Sequence, residues 1–135
     1  TNGKIYVEVP NLHDPLIKVW DNDAYKDFYY HSAHLHYFTE ESLLEVALRA
    51  GVESSKVKFE FTQDYNLLNH LNWINNNVPQ EDCHIGLSGI SIKDGQDGIS
   101  DWLNGELTIL NKSYIDRLKG LKATSNIMMI ISNDE

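Results

Sequence analysis

His31, His34 and His36 stand close together in a polar and aromatic stretch, Leu12 to Phe38, that also carries Trp20, Tyr25, Phe28, Tyr29, Tyr30 and Tyr37. An imidazole ordinarily titrates near neutrality, so it can exchange a proton at physiological pH or, when neutral, bind a metal ion. In an extended segment His34 and His36 share one side. No acidic or cysteine partner recurs at ligand spacing, and Asp27 and Asp64 are only outlying candidates for a third ligand, so no metal site is expected. The single cysteine, Cys83, sits in a polar stretch with no base beside it. It is read neither as a nucleophile nor as part of a zinc cage, and it has no partner for an intrachain disulfide.

Several elements must position these groups. Ile5, Val7 and Val9 alternate with Lys4, Tyr6 and Glu8, the period of a strand, and Pro10-Asn11 ends it in a turn. The stretch from Leu12 to Phe38 is long for a loop and fits a lid or binding loop, with a short helix around Asp23 to Tyr30. Thr39 has the character of a helix N-cap, with Glu40 and Glu41 in the favourable first turn. Leu43, Leu44, Ala47 and Leu48 follow at helical spacing, and Gly51 closes the helix. Leu43, Leu44, Leu48, Phe59 and Phe61 are expected in the core. Val57, Phe59 and Phe61 mark one face of a second strand.

Leu67, Leu68, Leu71 and Ile74 predict a helix from about Asn66 to Asn75. Gln80 to Gly98 is expected to be mostly loop. A short helix near Ile99 to Leu103 and a separate one capped by Asn111 and carrying Tyr114, Ile115, Leu118 and Leu121 come next. The apolar run Ile127 to Ile131 predicts a strand covered on both faces, hence central in its sheet. The other two strands are few for such a centre, which points to a larger natural sheet than this chain supplies.

Composition narrows the function. The chain has 135 residues, room for one domain with a core. A formal net charge of −9, from 20 acidic and 11 basic side chains, disfavours nucleic-acid and anionic-membrane partners. No apolar run reaches the roughly 20 residues of a membrane helix. With one cysteine and no secretory signal pattern, a cytoplasmic setting is expected.

Four segments, taken in order, resemble class I S-adenosylmethionine-dependent methyltransferases. Gly3-Lys4-Ile5-Tyr6-Val7-Glu8-Val9-Pro10-Asn11 is similar to that family's fifth-strand segment. His34-Leu35-His36-Tyr37-Phe38-Thr39, followed by Ser42-Leu43 and Ala50-Gly51, is similar to its next signature. Asn69-His70-Leu71-Asn72-Trp73 resembles an insertion after the sixth strand in the bacterial branch associated with sugar and surface-polysaccharide biosynthesis. Tyr114 to Leu118, then Ser125-Asn126 and an apolar strand, resembles the closing pattern.

The resemblance implies an α/β fold: part of a Rossmann-like methyltransferase sheet, comprising strands five, six and an antiparallel seventh, with flanking helices. The seventh strand would lie between the fifth and sixth. Residues 1–135 would form the C-terminal portion of one domain, with a helix–strand unit at 38–62, an inserted helix and loop at 63–110, and a closing helix and strand at 111–135. The family's glycine-rich turn and its ribose-binding acid have no counterpart. Gly86, Gly89, Gly95, Gly98 and Gly105 do not follow a strand and open a helix. S-adenosylmethionine is therefore expected as cofactor of a longer parent protein, with no cofactor-binding residues here and an inactive isolated chain.

The resemblance also implies a small-molecule acceptor, a sugar by family likeness. His34 occupies the family's recurrent position and is the candidate base for the accepting group. The other reading of His34 is an ordering role within its loop. Asn11, Tyr29, Tyr30, His36, Asn69, His70 and Trp73 are candidate substrate contacts, while Trp73 and Leu71 could equally pack the inserted helix against the sheet. A competing hypothesis is a non-catalytic module that binds a protein partner through its sheet edge. Strand Lys4 to Val9 should leave such an edge exposed and self-associate through it.

Overall fold

The computed structural model describes residues 3–92 and 98–133. Gly95 and part of the expected 80–98 loop lie outside these residues. Strand β1 (Lys4–Pro10) is followed by helices α1 (Pro15–Lys18), α2 (Asp23–Tyr29) and α3 (Glu40–Arg49). Then come β2 (Val57–Thr62), α4 (Leu67–Asn76), α5 (Cys83–Leu87), α6 (Ile99–Gly120) and β3 (Asn126–Ser132). The chain is mixed α/β with a small three-stranded sheet.

The strand order is β1-β3-β2, and β3 is antiparallel to both neighbours. Opposed to one central strand, β1 and β2 run parallel to each other and end at the same sheet edge. Register sets Val7, Met129 and Phe59 in one row and Val9, Ile127 and Phe61 in the next. Because side chains alternate across a strand, these residues share one face. α3 covers that face with Leu43 and Ala47, forming a core with Ile127 and Met129.

The central position of β3 agrees with the sequence expectation, but double coverage does not. Across the other face lie the rows Tyr6–Ile130–Lys58 and Glu8–Met128–Glu60. Tyr6 is 61% exposed, and no described helix packs there. The apolar run reflects β3's central place; its flanking partners on this face are polar, so the face is solvated.

Local capping explains the helices. Thr39 and Ser42 exchange side chain-to-backbone hydrogen bonds in a capping box at the start of α3. Gly51 then takes φ +85°, the left-handed conformation that glycine adopts without a Cβ penalty. Asp14, Asn22 and Asn66 cap α1, α2 and α4 through their side-chain oxygens. The expected long loop thus contains two helices, the first started by Asp14 and by Pro15, whose missing N–H costs nothing at a first helical position.

Three further expectations need correction. A short helix, α5, interrupts the expected loop after Gln80. The two helices expected around Ile99 and Asn111 are one: no proline lies between them, and the helix continues through Gly105. Asn111 instead turns its Oδ1 outward from α6 to accept the Leu67 N–H at 2.8 Å, supplementing the cap of α4. Leu48 is 41% exposed on the outer side of α3 and does not join the core.

Candidate functional site

The carboxyl ends of β1 and β2 meet at one edge, the usual ligand edge of strands with this relationship. Two hydrogen bonds fasten the excursion from Leu12 to Tyr37 there: Leu12 N–H donates to Phe38 O at 2.8 Å, and Phe38 N–H donates to Pro10 O at 3.1 Å. The base of the aromatic segment is thereby fixed at the end of β1.

A cavity of about 460 Å³ opens at this edge, within the usual range for small-molecule sites. The end of β1 contributes Glu8, Val9 and Pro10; α2 and the turn after it contribute Tyr25, Phe28, Tyr29, His31 and His34. Asp64 and Tyr65 enter from the turn after β2, and Ser125 and Asn126 from the start of β3. A wider concavity of about 590 Å³ lies over the open sheet face. It is lined by lysines, Tyr6, Glu60 and Ile130 and has no imidazole, so it lacks the convergent proton-transfer groups of the first.

A polar network holds the floor of the site. Ser125 N–H donates to Gln63 Oε1 at 3.0 Å, and Asp64 N–H donates to Ser125 Oγ at 3.0 Å. Asn126 Nδ2 donates to Asp64 Oδ2 at 2.7 Å, while Thr62 Oγ1 donates to Glu8 Oε1 at 2.7 Å. Each carboxylate is oriented by one neutral donor. Neither Glu8 nor Asp64 has an ion-pair partner among the described residues.

The phenols of the walls are already engaged. Tyr29 donates to Asn11 O at 2.9 Å, and Tyr25 donates to Asp14 Oδ2 at 3.3 Å. Burial, with the Asp14 carboxyl nearby, drives both phenols above their ordinary range, so both stay protonated. Burial also raises Tyr65. Proton acceptance at this site therefore falls to the carboxylates and imidazoles.

His31 Nδ1 accepts the Ala33 N–H at 3.2 Å, which leaves the proton of the neutral ring on Nε2. The His34 ring lies 5.1 Å from that of His31 and 6.1 Å from that of Tyr37, centroid to centroid. Its backbone N–H donates to His31 O, but its exposed imidazole makes no hydrogen bond among the described residues.

Of the residues singled out in the sequence, His34 and Tyr29 line the main cavity. Asn69 and Trp73 line an adjoining space of about 50 Å³ that shares Tyr25, Phe28 and Tyr65 with it. Trp73 is 3% exposed and meets Tyr25 edge-on at 5.0 Å, which makes it chiefly a packing residue. Asn69 donates from Nδ2 to Gln80 Oε1.

The other four lie elsewhere. Asn11 is fully buried, its Oδ1 accepting the His13 N–H and its Nδ2 donating to Lys122 O. His70 is buried between Gln63 and Tyr114. Tyr30 packs outside the cavity against Tyr29 and Tyr37, and His36 is exposed beside Phe38.

Glu8 and Tyr65 were not foreseen at the site, and Asp64 was weighed only as a metal ligand. Glu8 looked like the polar side of an alternating strand. Only the pairing of both outer strands with β3 brings it to the same cavity as Asp64. The placement of Asp64 just beyond the end of β2 was the available signal.

His31, His34 and His36 do not converge as metal ligands. Among the described residues, the one group of three potential ligands within 4.8 Å of one another is Asp82, Cys83 and His84, all exposed. Asp82 Oδ1 is occupied there in capping the His84 N–H of α5.

No family model matches the chain, and no match was found among curated proteins or solved structures.

Proposed function

We propose that this chain forms the acceptor-binding side of an S-adenosylmethionine-dependent methyltransferase acting on a small molecule, a sugar by likeness of sequence. The observation that carries the reading is the insertion of β3 antiparallel between β1 and β2, the order implied for the carboxyl-terminal strands of that Rossmann-like sheet. The cavity at the β1 and β2 ends, containing His34, supports the same reading.

The described residues do not fit the methyl donor. The turn from β1 to α1 is Asn11-Leu12-His13-Asp14, and that from β2 to α4 is Gln63-Asp64-Tyr65-Asn66. Neither contains a glycine to admit close backbone approach, and Asp64, the acid just beyond β2, follows a strand with no glycine-rich turn before it. The donor site therefore belongs on polypeptide beyond this chain. In the proposed reaction the residues here bind and orient the acceptor. Aromatic side chains cover its apolar face, Glu8 and Asp64 accept its hydrogen bonds, and His34 takes the proton of the accepting group.

The experiment is a comparison of this chain with a longer polypeptide encoded by the same reading frame. The expected result is transfer of labelled methyl from S-adenosylmethionine to a small-molecule acceptor by the longer protein, with no calorimetric binding of the donor by the short one. Tight donor binding by the short chain overturns the account. A cytoplasmic setting belongs to this proposal, since such chemistry uses intracellular methyl donor.

The open sheet face, with exposed Tyr6 and partly exposed Met128 and Ile130, favours a second reading: a non-catalytic module that docks a protein partner. An upstream reading frame lacking a strand, glycine-rich turn and helix would favour this reading over the enzyme.

A further inference from the structure

We infer that the cavity at the ends of β1 and β2 takes a small polyol bearing a protonated amine, an amino sugar rather than a neutral or phosphorylated one. The choice of a sugar rests on the methyltransferase reading; the charge of the ligand follows from the cavity itself.

The carboxylates that line it are Glu8 and Asp64, beside the imidazoles of His31 and His34, and no described lysine or arginine lines it. Each carboxylate is fixed through one oxygen by an uncharged donor, Thr62 Oγ1 or Asn126 Nδ2. The remaining oxygen of each is not committed to a cation among the described residues. Elsewhere in the chain Lys26 pairs with Asp21 and Asp23, Arg49 with Glu45, Lys112 with Asp116, and Lys122 with Glu40. Glu8 and Asp64 are thus oriented acids lacking such partners beside a cavity of ligand size.

Phe28, Tyr29 and Tyr65 supply aromatic surface in the same cavity. An ammonium group gains both from a carboxylate and from an aromatic ring, whereas a neutral hydroxyl gains only the hydrogen bond. A phosphate would meet two carboxylates and no fixed cation. The nearest helix start offers it little: in α4 the Leu67 N–H is taken by Asn111 Oδ1 and the Asn69 N–H by Asn66 Oδ1.

The test is titration of this chain with glucosamine, glucose, N-acetylglucosamine and glucose 6-phosphate at neutral pH and low salt, followed by saturation-transfer NMR and calorimetry. Glucosamine should bind about tenfold more tightly than glucose or the acetylated sugar, and the phosphate should not bind detectably. Asp64→Asn and Glu8→Gln should each remove most of that preference, bringing glucosamine binding down toward that of glucose. Both side chains are exposed, and circular dichroism would verify that the variants remain folded.

Equal binding of glucosamine and glucose, preference for the phosphate, or no binding of any probe by the folded chain overturns the inference. Methyl transfer by the longer polypeptide to a neutral sugar alone would overturn it while leaving the enzyme reading intact. Amine-selective binding without any methyl transfer would do the reverse.

Discussion

Tyr25 donates its phenolic proton to Asp14 Oδ2 at 3.3 Å inside a cluster that contains Leu16 and Trp73. Asp14 also caps α1 by accepting the Leu16 N–H at 2.8 Å. These bonds favour the carboxylate, but burial outweighs them and pushes Asp14 up to about 7 from its ordinary 3.8. A carboxyl group raised on folding stabilises the native state most below its unfolded pKa, and that contribution is lost as pH rises through the folded value. Wild-type stability should therefore decline on this account between about pH 4 and 7, by an amount on the order of 3 kcal/mol. Asp14→Asn keeps an acceptor for Leu16 and has no charge to bury. Chemical denaturation across this range should show the variant matching or exceeding wild type above neutrality. A wild-type excess there would contradict the assigned burial effect.

His70 contributes a slope of opposite sign. Gln63 Oε1 accepts the Ser125 N–H, and its Nε2 donates to Tyr65 O, which fixes the orientation of the amide. The same Nε2 lies 3.3 Å from His70 Nε2, so the ring nitrogen must accept, and Nδ1–H donates to Tyr114 Oη at 2.8 Å. Protonating His70 would set two donors against each other, and burial already lowers it to about 4. Its stabilising contribution is present above about pH 6.5 and is lost as pH falls toward 4. Over that window it opposes the Asp14 slope. Asp14→Asn should expose stability that rises with pH, and His70→Asn should expose stability that falls with pH. Parallel pH profiles for the two variants would refute the assignment.

On the proposed methyltransferase function, His34 should separate activity from stability. Its imidazole is exposed and makes no hydrogen bond among the described residues, so His34→Ala should change stability by no more than about 0.5 kcal/mol. In the longer polypeptide, loss of a positioned base should lower kcat by about 10²–10⁴, with partial rescue by added imidazole. His31→Ala removes the acceptor of the Ala33 N–H and should loosen the turn with a smaller effect on kcat. A purely structural His34 would reverse this ranking, costing thermal stability and showing no rescue.

The strongest local signals in the sequence were capping and alternation. Thr39, Gly51 and the alternating strands at Ile5 and Phe59 declared their elements because the backbone needs at those positions are local. The antiparallel central place of β3 also agreed with expectation. Other features depend on partners distant in sequence. Asn111 looked like the start of a helix because its amide is a good cap, yet the N–H it satisfies belongs to Leu67. Asn11 and His70 looked like ligand contacts by residue type, yet both spend their polar atoms on the chain. Conversely, Glu8 and Asp64 converge on one cavity because β3 ties β1 to β2, a relation no short motif records.

That sheet also leaves β1 without a strand partner on its outer side among the described residues. An unpaired edge offers backbone donors and acceptors to another chain, and β1 adds exposed Ile5 and Tyr6, at 59% and 61%. Pro10 protects only its end. Self-association of the isolated chain should therefore increase with concentration in sedimentation velocity. Ile5→Lys places a charge on the edge without cutting into the Leu43–Ala47–Ile127–Met129 centre of the core, and should shift the population toward monomer while leaving the circular dichroism spectrum unchanged. If the wild-type chain stays strictly monomeric at high concentration, the β1 edge is not an assembly surface. If it associates but Ile5→Lys does not alter it, the contact lies elsewhere, with the open face of Tyr6, Met128 and Ile130 the next surface to probe by substitution.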